Sequence, residues 1–325
     1  MTHSGLKRFI EAGVDLGSLN LGLSRGSRIC LALPNGPEAA TCFLALATRC
    51  PVAPINLDIS EGAAKAQLAD LPAAAIVLCR GHGAASNRLE ALAATMGIPV
   101  IDLVPDPAVA GLFTLVHAAA TAGAGADGGA AEAAVPPPTD SIAGAPLGLD
   151  DACLLLYTSG TTLRPKRVPL TQRSLCSAAL CISETLQLTA ADVGLNVMPL
   201  YHLHGIMVNV LVSAVSGSAV ACTPGWGDAS GFFNHAQATK ATWYSAVRQL
   251  RHCFGFPNFK PECQTLFPPH TRARRVLCFA SCPGVSAADI GACTPMVCRI
   301  SRDLPVQVPA MHLAVVLHAE KVHPL

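Results

Sequence analysis

The chain has 325 residues, of which 51% are hydrophobic and 13% are charged. A chain of this length can bury a large core, and we expect two subdomains of the α/β type. The formal net charge is +1 and the pI is near 7.6, which indicates neither a nucleic-acid-binding nor an acidic-membrane-binding surface. The N-terminus lacks an apolar signal core and residues 323–325 are not a peroxisomal tripeptide, so a cytoplasmic location is expected.

The 14 cysteines are scattered along the chain without a C-x-x-C pair or a His/Cys cluster at zinc spacing. The nearest approach is Cys278 with Cys282 and Cys293 with Cys298. We expect these side chains to be small buried hydrophobic residues in a reducing compartment, and we predict neither disulfides nor metal ligands.

The first third of the chain alternates between short apolar runs and helical patterns. Strands are predicted over residues 28–33, 51–56, 73–78 and 100–104, and helices over 37–48, 60–71 and 86–96. Strands that alternate with helices of this length imply parallel pairing through right-handed crossovers. Residues 1–117 are therefore predicted to form a first α/β subdomain.

A segment rich in Ala, Gly and Pro follows, at residues 118–149. It cannot bury enough apolar side chain to offset its ordering entropy, so it is predicted to be a disordered linker. A second α/β subdomain is predicted over 150–281, and an irregular tail over 282–325.

In the second subdomain a helix is predicted over 171–188 with Thr171 as its N-cap, and another over 232–240. Strands are predicted over 193–198, 218–223, 241–247 and 275–280. The uncharged stretch 205–222 is long enough for a membrane span to be an alternative interpretation. Serines and a glycine interrupt it, so we interpret it as a buried helix and a strand, and we predict no membrane span.

A hydroxyl-rich segment over residues 157–167 lies between two apolar runs. An apolar run bounded by Gly and Pro is typical of a buried strand, so this segment is expected to be a loop that leaves a sheet. Such a loop can direct backbone N–H groups, hydroxyls and the Lys166 ammonium at a nucleotide triphosphate. It is not the common P-loop, because Pro165 and Arg167 stand where Gly and Ser/Thr are needed.

The same segment resembles the phosphate-binding signature of the adenylate-forming (acyl-CoA synthetase) family, Tyr-Thr-Ser-Gly-Thr-Thr-Gly-x-Pro-Lys-Gly-Val. Residues 157–162, 165, 166 and 168 match in order, and Leu163 and Arg167 replace two glycines. The alternative, a polar turn between two strands, is disfavoured by the length of the ordered match. The resemblance implies an incomplete N-terminal domain of the adenylate-forming fold, with mostly parallel sheets flanked by helices in two subdomains.

The resemblance also implies an activity. Such enzymes join a small-molecule carboxylate to the α-phosphorus of ATP, expel pyrophosphate, and let the thiol of coenzyme A displace AMP. Both steps move negative charge, so the site needs cations and hydrogen-bond donors rather than a covalent nucleophile. Mg²⁺ is expected to accompany ATP. The phosphate contacts carried over by the match are Thr158, Ser159, Gly160, Thr161, Thr162 and Lys166.

Residues 199–205 resemble the aromatic-and-His element on the wall of the family's acyl pocket, in a form close to the oxalate–CoA ligase branch. His204, when protonated, can pair with the second carboxylate of a compact dicarboxylate. Lys166 and His204 are thus the catalytic candidates, and His204 and Ser281 are the candidate substrate contacts. A satisfied core histidine is the alternative for His204, and both interpretations stay open.

The resemblance continues through residues 241–247, where Trp243 and Tyr244 are expected to be core aromatics. It stops after Ser281, because the family's Thr-Glu segment, ribose-binding Asp and C-terminal Lys have no counterpart there. We therefore expect a truncated gene product or a fragment. Two functions remain in view, an ATP-dependent carboxylic acid–CoA ligase and a non-catalytic remnant that at most binds ATP. The sequence sets no oligomeric state.

Overall fold

The computed structural model describes residues 1–117, 142, 146–158, 166–225, 229–247 and 275–279. The chain divides into two compact units. The first contains Met1–Leu155 and Pro169–Gln172, and the second contains the described residues of Leu156–Val168 and Arg173–Leu325. Most of the predicted linker and all of the predicted tail lie outside the described residues, so the predicted domain boundaries stay predictions.

The first sheet has seven strands, β1 (Ile29–Ala32), β2 (Val52–Pro54), β3 (Ala75–Leu78), β4 (Val100–Pro105), β5 (Phe113–His117), β6 (Ala152–Tyr157) and β7 (Arg167–Thr171). Their order is β5-β4-β3-β1-β2-β6-β7. β1 is parallel to both neighbours, so Cys30 lies opposite Ala53 on one side and Ile76 on the other. β3 is parallel to β4 and β2 to β6, whereas β5 is antiparallel to β4. The predicted mostly parallel sheet is confirmed.

The helices of the first unit are α1 (His3–Arg8), α2 (Pro37–Ala47), α3 (Glu61–Asp70) and α4 (Gly83–Thr95), with a π-helical turn at Phe9–Gly13 and a 3₁₀ turn at Gly17–Leu19. Local chemistry explains where two of them begin. The Ser60 hydroxyl accepts a hydrogen bond from the Ala63 N–H at 3.4 Å and caps α3. Pro37 occupies the first turn of α2, where its missing N–H leaves no helical bond unmade.

The central cluster of the first unit is apolar, although the polar residues Thr41, Thr48, Ser86 and Gln172 are also buried in this unit. Every residue of β1 and β3 is buried, which is the pattern of parallel strands covered on both faces. Leu68 and Ile76 are at most 1% exposed within one continuous cluster. Burial raises the pKa of the Cys30, Cys42 and Cys50 thiols, so these side chains stay protonated and serve as packing groups.

The second sheet has four parallel strands, β8 (Val193–Asn196), β9 (Ala219–Cys222), β10 (Trp243–Val247) and β11 (Arg275–Phe279), in the order β11-β10-β8-β9. The remaining helices are α5 (Gln172–Leu186), a π-helix at His204–Leu211, α6 (Val212–Ser216) and α7 (Ala229–Thr239). Thr171, the predicted N-cap, is the last residue of β7 and directly precedes α5.

The uncharged stretch 205–222 is divided among the π-helix, α6 and β9. Gly217 ends α6 in the left-handed region at φ 70°, which glycine adopts without a Cβ penalty. Among the helices the structure describes, none is both long and apolar enough to cross a membrane.

Candidate functional site

The predicted phosphate loop joins two neighbouring strands of the first sheet, β6 and β7. Two hydrogen bonds close its ends. The Thr158 N–H donates to the Lys166 carbonyl at 2.9 Å, and the Lys166 N–H donates to the Thr158 hydroxyl oxygen at 3.1 Å. The two ends of the loop, at Thr158 and Lys166, are therefore held together.

Two of the predicted phosphate contacts, Thr158 and Lys166, are described, and the side chain of each can donate a hydrogen bond to a ligand. The Thr158 hydroxyl oxygen accepts from the Lys166 backbone, so its own proton can be donated elsewhere. The Lys166 side chain is exposed, and it joins none of the ion pairs found in the described part of the chain. The other predicted contacts, Ser159, Gly160, Thr161 and Thr162, lie outside the described residues, and so does Ser281.

The second candidate, His204, is the first residue of the π-helix and is partly buried. Its Nε2 lies 2.9 Å from the Ser245 hydroxyl oxygen on β10. The Ser245 hydroxyl donates in turn to the Asn209 carboxamide Oδ1 at 3.1 Å. Asn209 and Ser245 are each 0% exposed. His204 thus ends a buried polar chain, which we call the His204–Ser245–Asn209 chain.

The residues before His204 set its position. The His202 N–H donates to the Pro199 carbonyl at 3.2 Å, and the Ile206 N–H donates to the His202 carbonyl at 3.3 Å. Gly205 packs directly on this turn, because a Cβ there would overlap the backbone carbonyl of Pro199. A side chain at 205 would therefore displace the start of the π-helix and His204 with it.

The environment of His204 favours the neutral ring. Burial, and to a smaller extent the neighbouring His202, lower the pKa of His204 from its ordinary 6.5 to about 4. The imidazole is therefore uncharged near neutral pH before a ligand binds. The expected pairing with a carboxylate requires the ring to take up a proton first.

The predicted core aromatics pack as expected of such residues. Trp243 is 2% exposed, and its ring covers Gly194, where a Cβ would come within 2.8 Å of the indole. The Tyr244 ring packs edge-on against Phe232 with ring centroids 5.0 Å apart.

Sequence reasoning missed Ser245 and Asn209. Asn209 is the single polar residue of the apolar run 205–211, and Ser245 lies within the predicted strand 241–247. An isolated amide or hydroxyl in a run that is otherwise buried needs a partner, and this was the available signal.

The sequence profile of the AMP-binding enzyme family matches residues 18–288. The chain belongs to the AMP-binding enzyme family. Among curated members, it is 31% identical over 252 residues to the "Probable CoA ligase CCL9" of Humulus lupulus, covering 76% of this chain and 44% of that relative. It is 30% identical over 253 residues to the oxalate–CoA ligase of Arabidopsis thaliana, covering 76% and 45%.

Solved structures of adenylate-forming enzymes share the fold. ATP-bound MatB from Rhodopseudomonas palustris superposes with a TM-score of 0.60 at 22% identity, over 85% of this chain and 48% of that one. The inhibitor-bound N-terminal domain of FACL13 from Mycobacterium tuberculosis gives a TM-score of 0.59 at 20% identity, over 85% and 61%. The chain spans about half the length of the curated family members it matches.

Proposed function

We propose that this chain is the nucleotide-binding part of an ATP-dependent carboxylic acid–CoA ligase. The observation that supports it most directly is the pair of hydrogen bonds between Thr158 and Lys166, which hold the ends of the signature loop together. These bonds keep the Thr158 hydroxyl and the Lys166 residue next to each other. Such donors are what the β- and γ-phosphates of ATP require.

The charges in this region fit a polyanion. Lys166 is exposed, and Arg167 follows it at the start of β7. We propose that Thr158 and Lys166 bind the phosphates together with Ser159, Gly160, Thr161 and Thr162. Mg²⁺ would arrive with ATP and neutralise phosphate charge, while the chain's own residues bind and orient the triphosphate.

For the acid, we propose a compact carboxylate such as oxalate, with coenzyme A as the thiol. The residues 199–205 carry this part of the proposal, since they hold His204 at the end of a buried polar chain. The name of the Arabidopsis thaliana relative, an oxalate–CoA ligase, favours the same substrate class. Ser281 remains a proposed second contact.

A second candidate function is nucleotide binding without ligation. The match covers 44% of one relative and 45% of the other, so more than half of each relative lies outside it. Removing one well-placed electrostatic group typically lowers a rate by about a hundredfold or more. On this second proposal ATP binds, and the purified chain gives no carboxylate-dependent exchange.

The test compares Lys166→Ala with Lys65→Ala, a control on the exposed face of α3. Loss of a charge-assisted contact should weaken Mg·ATP binding by roughly tenfold to a hundredfold in Lys166→Ala, measured by calorimetry, with no change in the control. Oxalate-dependent ATP–pyrophosphate exchange by the purified chain would select the ligase, and ATP binding without exchange would select the second candidate. Equal ATP affinity in the wild type and Lys166→Ala would refute both.

A further inference from the structure

An amide at the centre of an apolar helix needs an explanation. Asn209 lies in the π-helix, where every residue from Gly205 to Leu211 is buried. An amide buried without a partner typically costs one to a few kcal/mol, so an apolar residue would be the simpler choice for stability. The Oδ1 of Asn209 accepts from the Ser245 hydroxyl, which connects it to His204, whereas its buried Nδ2 has no hydrogen-bond partner among the described residues.

The direction of these bonds follows from donor and acceptor chemistry. The Asn209 Oδ1 has no hydrogen and can only accept, so the Ser245 hydroxyl proton points toward it. The same hydroxyl has one proton, which leaves its oxygen as the acceptor for the 2.9 Å contact with His204. The hydrogen in that contact must therefore be carried by Nε2 of the imidazole.

We propose that Asn209 and Ser245 are positioning residues that fix His204 as its Nε2–H tautomer. Asn209 sets the donor-to-acceptor direction of both hydrogen bonds in the His204–Ser245–Asn209 chain. If its amide were turned, Nδ2 would donate to Ser245, the serine proton would point at Nε2, and the ring would carry its proton on Nδ1. The orientation of one buried amide thus decides which nitrogen of His204 can donate.

This tautomer limits what the other nitrogen can bind. In the neutral ring Nδ1 carries a lone pair and only accepts hydrogen bonds. A carboxylate also only accepts hydrogen bonds. It can therefore form a hydrogen bond with Nδ1 only after that nitrogen gains a proton. The substrate part of this inference rests on the proposed function, and it implies that carboxylate binding at His204 takes up one proton. The tautomer itself does not depend on that function.

The test reads the tautomer directly, in the ligand-free full chain at neutral pH. The imidazole ¹⁵N shifts of histidine-labelled protein distinguish a protonated from an unprotonated ring nitrogen, and His204→Gln assigns the signals of His204. We expect a protonated Nε2 and an unprotonated Nδ1 in the wild type. In Ser245→Ala the ratio of Nε2–H to Nδ1–H should fall by about fivefold, as for the loss of one hydrogen bond.

Two further variants separate positioning from packing. Asn209→Leu removes the acceptor and frees the Ser245 proton to turn toward Nε2, so the ratio should fall there too even if Ser245→Ala folds poorly. Ser213→Ala removes a hydroxyl that is 1% exposed on α6, and it should leave the ratio unchanged. A wild-type ring protonated on Nδ1, or a ratio unaffected by both Ser245→Ala and Asn209→Leu, would overturn the proposal. Since no ATP or oxalate is present, either result is independent of the proposed activity.

Discussion

An apolar cluster in the first unit and a polar network in the second unit show two kinds of buried contact. In the first unit the cluster around β1 and β3 consists of aliphatic side chains, alanines and a thiol, with Leu68 and Ile76 at most 1% exposed. In the second unit the space between the π-helix and β10 contains the His204–Ser245–Asn209 chain, and Asn196 at the end of β8 is also fully buried.

This difference contrasts buried contacts that only stabilise the fold with buried contacts that also fix the orientation of a side chain. Apolar burial stabilises a sheet in proportion to the area covered, and it needs no particular partner. A buried amide or imidazole gives little net stability but fixes orientation, because its bonds have direction. Polar groups replace apolar packing next to His204, which is consistent with the substrate site proposed there.

The largest expected effect contrasts one residue from each interior. Leu68→Ala should lower the free energy of unfolding by about 2–5 kcal/mol, because it leaves a cavity in a tightly packed cluster. Asn209→Leu keeps a similar volume and removes a polar group, so its effect on stability should stay within about 1 kcal/mol. Urea denaturation followed by circular dichroism measures both.

The comparison fails if the two effects are reversed. A loss in Asn209→Leu as large as that in Leu68→Ala would mean that the polar chain is structural, and that the second interior depends on it for packing. A Leu68→Ala loss below that of Asn209→Leu would remove the distinction between the two units altogether.

The next effect is a pH dependence that belongs to the second unit. His204 has a pKa of about 4 in the folded chain and an ordinary value of 6.5 when unfolded, so the unfolded state binds more protons between these values. The contribution of the neutral His204 ring to stability is therefore fully present above about pH 6.5 and is lost as the pH falls toward 4. Denaturation across this range should show a smaller loss in His204→Gln than in the wild type.

The matched control is His235→Gln, which changes an exposed histidine on α7 in the same unit. It should reproduce the wild-type pH dependence. Identical curves for the wild type and His204→Gln would show that the folded and unfolded chains protonate His204 equally, and the argument for a neutral ring would fail.

Much of the first unit was predictable, because its information is local. Continuous apolar runs and the helical patterns between them predicted β1 to β4 and the helices α2 to α4, with bounds that differ by a few residues. The strand β5 was not predicted. It lies at the edge of the sheet with one buried residue, Phe113, so it lacks the apolar run that marks its neighbours.

The site was predictable only in part. The signature loop and His204 could be found because their residues are adjacent in the sequence. Ser245 could not be paired with His204 or Asn209 in advance, because it lies 41 residues from His204 and 36 residues from Asn209 along the chain. These hydrogen bonds depend on how the π-helix packs against β10, and no local sequence pattern determines that packing.

The smallest expected effect concerns a buried polar group that lies outside the His204–Ser245–Asn209 chain. The Ser213 hydroxyl is buried on α6 and has no hydrogen-bond partner within the part of the chain that the structure describes. An unsatisfied hydroxyl destabilises the folded state, and alanine also has the higher helix propensity. Ser213→Ala should therefore raise the free energy of unfolding by up to about 1 kcal/mol in urea denaturation. A loss of stability instead would mean that this hydroxyl has a bonding role, and that the polar groups of the second interior extend beyond the chain that ends at His204.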